Sequence, residues 1–114
     1  MPLTDLAQPT LPSDALVASV SSEGGAAVVA LRGEADLFTL PIVVDMLARV
    51  VADHAGPVVV DLAETEFIDT GSVRAIARAA AILGDRGRAL TVRSPSRMAV
   101  RMLAILGCSH LIER

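Results

Sequence analysis

Apolar positions along this chain change their period from one segment to the next. In "ALVASVSS" (15–22) they alternate with polar ones, which predicts a strand with one buried face. Glu23-Gly24-Gly25 is a turn signal, and "AAVVALRG" (26–33) predicts a second strand, so the two form a hairpin. In "GEADLFTLPIVVDMLARVVADHAG" (33–56) the period becomes helical. Val43, Met46, Leu47, Val50 and His54 fall at i, i+3, i+4, i+7 and i+11, which predicts a helix near 40–54. Thr39 is its expected N-cap, and Pro41 falls in the first turn, where proline is tolerated. Asp45 and Arg49 form an i, i+4 pair on another face. Gly56-Pro57 ends the segment.

"VVVDL" (58–62) is a continuous apolar run, as expected of a central strand buried on both faces. A short polar link follows, and the helical period returns near 71–83, with Val73, Ile76, Ala77, Ala80 and Leu83 on one stripe. "GDRG" (84–87) is a turn and "RALTVR" (88–93) a strand. Ser94 and Pro95 read as N-cap and N1 of a third helix near 95–106, carried by Met98, Met102 and Ile105 and ended by Gly107. "LIER" (111–114) is a candidate last strand. The order is ββαβαβα(β), an α/β class. Right-handed crossovers make a mixed sheet of four or five strands that starts with an antiparallel hairpin, with helices packed mainly on one face. Residues 1–14, with three prolines, are expected to be a flexible lead-in to one folded domain over 15–114.

Composition narrows the function classes. The 114 residues include two Phe and no Trp or Tyr, so the core is aliphatic and there are no aromatic platforms for single-stranded nucleic acid. Net charge is −3 and every basic residue is Arg, without a basic stripe, which argues against nucleic acid as a partner. One Cys and two scattered His offer neither an internal disulfide nor metal-ligand spacing, and no cofactor motif occurs. The start lacks the basic and apolar regions of a secretory signal, and no run approaches the ~18 apolar residues of a membrane span. These features lead to the expectation of a cytoplasmic protein without metal or cofactor.

The chemistry concentrates in Asp69-Thr70-Gly71-Ser72, after a parallel strand and at a helix N-terminus. Ligands of open α/β sheets bind at that end, yet Asp or Thr there is also an ordinary cap with Gly easing the turn. There is no G-x-x-x-x-G-K-[ST] and no G-x-S-x-G, and no motif holds His54 or His110 next to a serine. Nothing assembles a nucleophile, a base and an orienter, so an enzyme is not expected. Glu34 and Asp36 in "GEAD" read first as the acids of a solvated loop that caps the first helix. Glu64 and Glu66 are solvated neighbours that could extend an acidic rim near Asp36. Arg74/Arg78 and Arg97/Arg101 each place two charges on one helix face, and Cys108 reads as a small apolar filler.

Three pieces, "LRGEADLFTLP", "VVVDLAETEFIDTGSV" and "RALTVRSPSRMAVRMLAILG", stand in an order that resembles the STAS domain, specifically the bacterial anti-sigma factor antagonists, over about residues 15–112. The family pattern reads G-E-L-D, then D-L-S-x-V-x-F-I-D-S-S-G-L. The resemblance implies a non-enzymatic regulator of transcription that acts by partner switching. It docks on an anti-sigma factor that is also a serine kinase of ATPase fold, and so releases a sigma factor. It implies partner contacts at Asp36, Asp69, Thr70, Gly71, Ser72 and Arg74. The usual phosphoacceptor position falls on Gly71, which has no hydroxyl; either Thr70 or Ser72 takes its place, or this chain is not phosphorylated. Family members commonly continue into a last helix where "LIER" ends this chain, and lack of that helix would leave an apolar edge open to pairing. The alternative implied by the resemblance is an accessory subunit on the ATPase of a lipid-trafficking ABC transporter, some of which carry Thr after the motif Asp.

Overall fold

The computed structural model describes residues 15–113; the expected lead-in 1–14 and Arg114 lie outside them. Strands β1 (Leu16–Glu23) and β2 (Ala26–Ala35) pair antiparallel from Leu16↔Gly33 to Glu23↔Ala26. Gly24 and Gly25 make the turn with φ of 53° and 86°, the left-handed region that a tight hairpin needs. After helix α1 (Leu40–Asp53), β3 (Val58–Asp61) pairs parallel with the first half of β2, from Ala27↔Val58 to Ala30↔Asp61. Helix α2 (Thr70–Asp85) leads to β5 (Leu90–Arg93), which pairs parallel with β3.

A further strand lies in what reads as the polar link. β4 (Thr65–Ile68) pairs parallel with the second half of β2, Glu34 opposite Phe67 and Ala35 opposite Ile68. Long β2 thus serves two parallel partners in succession, and the register shifts between Gly33 and Glu34. Gly33 has φ 110°, and a Cβ there would collide with the Ala15 carbonyl. That carbonyl accepts from Glu34 N–H at 2.7 Å, while Gly33 N–H donates to Glu64 O at 3.0 Å. Glycine is the residue that fits both the angle and the approach.

The helices cover one face of the sheet. Leu16, Val29, Leu31, Val58, Val60 and Val92 meet Val43, Met46 and Val50 of α1 and Val73, Ile76 and Leu83 of α2 in one aliphatic core. Val59 is buried too, so the "VVV" run is covered on both faces as its composition predicts. On the helix-free face, the register puts Arg93 and Glu23 on the same side as Val28 and Val59. Arg93 reaches Glu23 at 3.3 Å and Glu113 at 3.0 Å, and hydrogen bonds to Glu113 and then Glu23 hold its guanidinium above its ordinary range.

Three expectations for the C-terminal third need correction. Ser94 does not cap the third helix: it has φ 54°, and Ser96 accepts from Ala99 N–H at 3.1 Å, so α3 spans Arg97–Ile105. Ala99 and Leu103 face the core, whereas Met98 is half exposed and Ile105 is 76% exposed. The small side chain at Ala99 lets the helix backbone lie close to the sheet, which sets the phase more strongly than the larger residues do. "LIER" is not a full strand: a 3₁₀ turn (Ser109–Leu111) buries Leu111, and Ile112 forms a single parallel bridge to Val92. Among the described residues no helix is long and apolar enough to cross a membrane.

Candidate functional site

The ends of β2 and β4 lie side by side, with Ala35 opposite Ile68. Asp36 and Asp69 are the next residue on each strand, so the pairing brings "GEAD" and "DTGS" together. Asp69 N–H donates to Ala35 O at 2.9 Å and closes the junction.

The first loop is held by its own polar groups. Asp36 Oδ1 accepts from the N–H of Phe38 at 2.9 Å and of Thr39 at 3.1 Å, a side-chain-made turn. Thr39 is buried and holds the N-cap position of α1 as expected, but its side chain makes no capping bond to the helix. Its hydroxyl donates to Glu34 O at 2.9 Å and accepts from Asp36 N–H at 2.8 Å, tying the loop to β2. So held, the loop presents Leu37 and Phe38 to solvent, with Phe38 89% exposed. Phe67, on β4, is 45% exposed. Both aromatic residues of the chain therefore lie on the surface at or next to this strand junction, outside the core, a composition typical of protein-binding patches. The reading of the sequence missed all three side chains. The signal was present: two Phe beside acids, in segments where an aliphatic core had no need of them.

The second element is the start of α2. Asp69 Oδ1 accepts from Ser72 N–H at 2.8 Å, and Asp69 O accepts from Val73 N–H at 3.1 Å. Asp69 is thus the N-cap, its charge favoured by the helix dipole. Thr70 is exposed, and so is Arg74 one turn on. Ser72 is 0% exposed and its Oγ has no hydrogen-bond partner among the described residues. A step of one helical residue is about 100°, and two steps from Thr70 turn the side chain inward. Gly71 is half-buried with ordinary φ; a Cβ there would lie 3.7 Å from Asp69 Oδ1 and 4.0 Å from Leu40 Cδ2, both normal contacts. The structure therefore brings Asp36, Asp69, Thr70, Gly71 and Arg74 to one end of the domain and turns Ser72 into it.

Other candidates lie elsewhere or are engaged. Glu64 pairs with Arg32 at 3.0 Å, which weakens the idea of an acidic rim; Glu66 is exposed. Asp45 and Arg49 form the expected pair at 3.1 Å. His54 is the C-cap of α1, roughly 20 Å along that helix from the site. Cys108 is half-buried, with its Sγ 3.5 Å from Leu106 O. Carboxylates, hydroxyls and exposed apolar groups together suit recognition of a protein surface. Removal of the cap should be measurable by itself: Asp69→Ala is expected to cost about 0.5–2 kcal/mol of stability, and Asp69→Asn much less. Thermal unfolding followed by circular dichroism checks this ranking.

The family model described as "Mlab, STAS domain" matches residues 18–113. The anti-sigma-F factor antagonist RsfB of Mycobacterium tuberculosis is 30% identical over 71 residues, which are 62% of this chain and 58% of that protein. Among solved structures, an anti-sigma factor antagonist from Mycobacterium paratuberculosis superposes with TM-score 0.78 at 25% identity, covering 89% of this chain and 86% of that one. Unphosphorylated SpoIIAA, an anti-sigma factor antagonist, shares the fold with TM-score 0.73 at 13% identity, over 84% and 85% of the two chains. Given a family match that runs from β1 to the final bridge, on a fold that solved anti-sigma factor antagonists share, the chain belongs to the STAS domain family.

Proposed function

We propose that this protein is an anti-sigma factor antagonist, which binds an anti-sigma factor of ATPase fold and thereby releases a sigma factor. The observation that carries the reading is the junction itself: a rigid loop with Asp36, Leu37 and Phe38 set beside the capped, solvent-facing start of α2. Similarity to RsfB and to the mycobacterial structure supports the same role. The test is affinity capture on the full chain, identification of the retained ATPase-fold protein, and reconstitution with its sigma factor. Displacement of the sigma factor by this protein is the expected result. Capture of a transporter ATPase instead would establish the second reading, an accessory subunit of a lipid-trafficking ABC transporter. That reading is favoured by Thr70 after the motif Asp and by the description of the matching family model.

Thr70 is the proposed acceptor if the anti-sigma factor is a kinase, because its hydroxyl is exposed while that of Ser72 is buried. A phosphate adds about −1.5 to −2 charge beside Asp69, and against a partner acid this opposes docking. Thr70→Glu is therefore expected to bind at least tenfold more weakly than Thr70→Ala in titration calorimetry. Equal affinities would remove Thr70 as the switch.

Gly71 yields a separate expectation. A Cβ there meets only normal contacts, and the position is half-buried with room toward solvent for a hydroxyl, so Gly71→Ser should fold, with stability unchanged or raised by up to about 1 kcal/mol. Incubated with the kinase and ATP, the variant should gain a phosphate at residue 71, located by mass spectrometry of the digest. A variant that folds, binds and stays unmodified beside an active kinase would place the acceptor elsewhere.

A further inference from the structure

Away from the strand junction, an open groove of about 400 Å³ runs between α1 and α2. Each helix is a crossover between parallel strands, so the two lie side by side over the same face of the sheet. Val44, Ala48 and Ala52 form one wall and Arg78, Ile82 and Arg86 the other, each set at four-residue steps. Leu47 and Ala79 close the floor. Four residues are about one helical turn, so both walls are ridges of the kind that receive the ridge of another helix. Alanine at two positions of the α1 wall leaves room for a close approach.

The walls differ in charge. The α1 wall is wholly apolar. Arg78 and Arg86 project from the α2 wall, and neither guanidinium enters an ion pair or side-chain hydrogen bond among the described residues. Eight helical residues place them about 12 Å apart. We propose that the groove receives an amphipathic helix of a partner protein, its apolar ridge between the walls and two carboxylates, seven or eight residues apart, on Arg78 and Arg86. A single-headed amphiphile could satisfy one guanidinium only. A second copy of this chain is disfavoured by charge: its exposed apolar helix, α3, carries Arg97 and Arg101 beside Met98 and Val100, and these would face Arg78 and Arg86. The near end of the groove, at Ala75, adjoins Arg74, but Arg78 and Arg86 lie about 13 Å and 25 Å along α2 from Asp69, so the charged wall is distinct from the strand junction and its occupant does not depend on the function proposed above.

The probe is a labelled, alanine-based helical peptide of about 18 residues, five turns, with leucines at alternating three- and four-residue steps and two glutamates eight residues apart. A matched peptide carries lysines in place of the glutamates. Fluorescence anisotropy should show saturable binding of the Glu peptide to the full chain and binding at least tenfold weaker for the Lys peptide. Amide shifts in the NMR spectrum should fall on α1 and α2. Arg78→Gln with Arg86→Gln should abolish the preference, and Arg78→Glu with Arg86→Glu should reverse it. All four substitutions are at exposed positions, and circular dichroism verifies folding. Equal binding of the two peptides, no binding of the Glu peptide, or shifts mapped outside α1 and α2 would overturn the proposal. So would binding of dodecanoate in the groove without peptide binding, or a dimer that Ile82→Glu dissociates.

Discussion

Phe38→Ala should weaken binding to the proposed anti-sigma factor partner by about 30-fold or more while leaving the fold unchanged. The side chain is 89% exposed, so truncating it removes almost no buried area, and the expected stability change is within about 0.5 kcal/mol. Its backbone is already fixed: Phe38 N–H donates to Asp36 Oδ1, and Thr39 anchors the loop to β2. Little ordering entropy is then lost when the ring enters a partner pocket. Aromatic anchors at the centre of an interface are worth about 2 kcal/mol or more, which is the stated factor of roughly 30. Calorimetric titration of the purified pair checks the magnitude. Salt separates this contact from its neighbours, since a hydrophobic anchor keeps its effect at high ionic strength while that of Asp69 shrinks. Unchanged affinity in Phe38→Ala would move the interface away from this loop.

Gly33→Ala should have the largest effect on stability, a loss of about 2–4 kcal/mol. Two costs add. A non-glycine residue held at φ 110° is strained by roughly 1–3 kcal/mol. The new Cβ also collides with the Ala15 carbonyl, and moving that group breaks its bond from Glu34 N–H, worth about 0.5–1.5 kcal/mol. Gly87→Ala is the matched control. Gly87 has φ 70° but open space around its Cβ, so only backbone strain of about 1–2 kcal/mol is expected there. Urea unfolding of both variants measures the difference. Equal losses would show that β1 gives way without cost and that the collision is unimportant. Because Gly33 sits where β2 changes partner from β3 to β4, its replacement should also disturb the junction and lower partner affinity.

Val43, Met46, Leu47 and Val50 predicted the buried face of α1, and "VVVDL" the central strand, because period and run length report directly which faces meet the core. Asp69 could be read as a cap because capping is local: its partner, Ser72 N–H, is three residues away. The STAS pattern added the order of the pieces and the expectation of a contact face at Asp36 and Asp69. What escaped depended on distant neighbours. Four residues, Thr65–Ile68, carry too little pattern to announce a strand, and they form one because the free half of β2 lies alongside. The third helix turned Ala99 and Leu103 inward, although Met98 and Ile105 are larger, because fit against the sheet decides the phase. Thr70 and Ser72 have alike hydroxyls and lie two residues apart; only the rotation of α2 over the core makes one exposed and the other buried. The walls of the α1–α2 groove were not singled out in the sequence: their meeting follows from two crossovers landing side by side on one face of the sheet, a nonlocal outcome that short-range pattern does not encode.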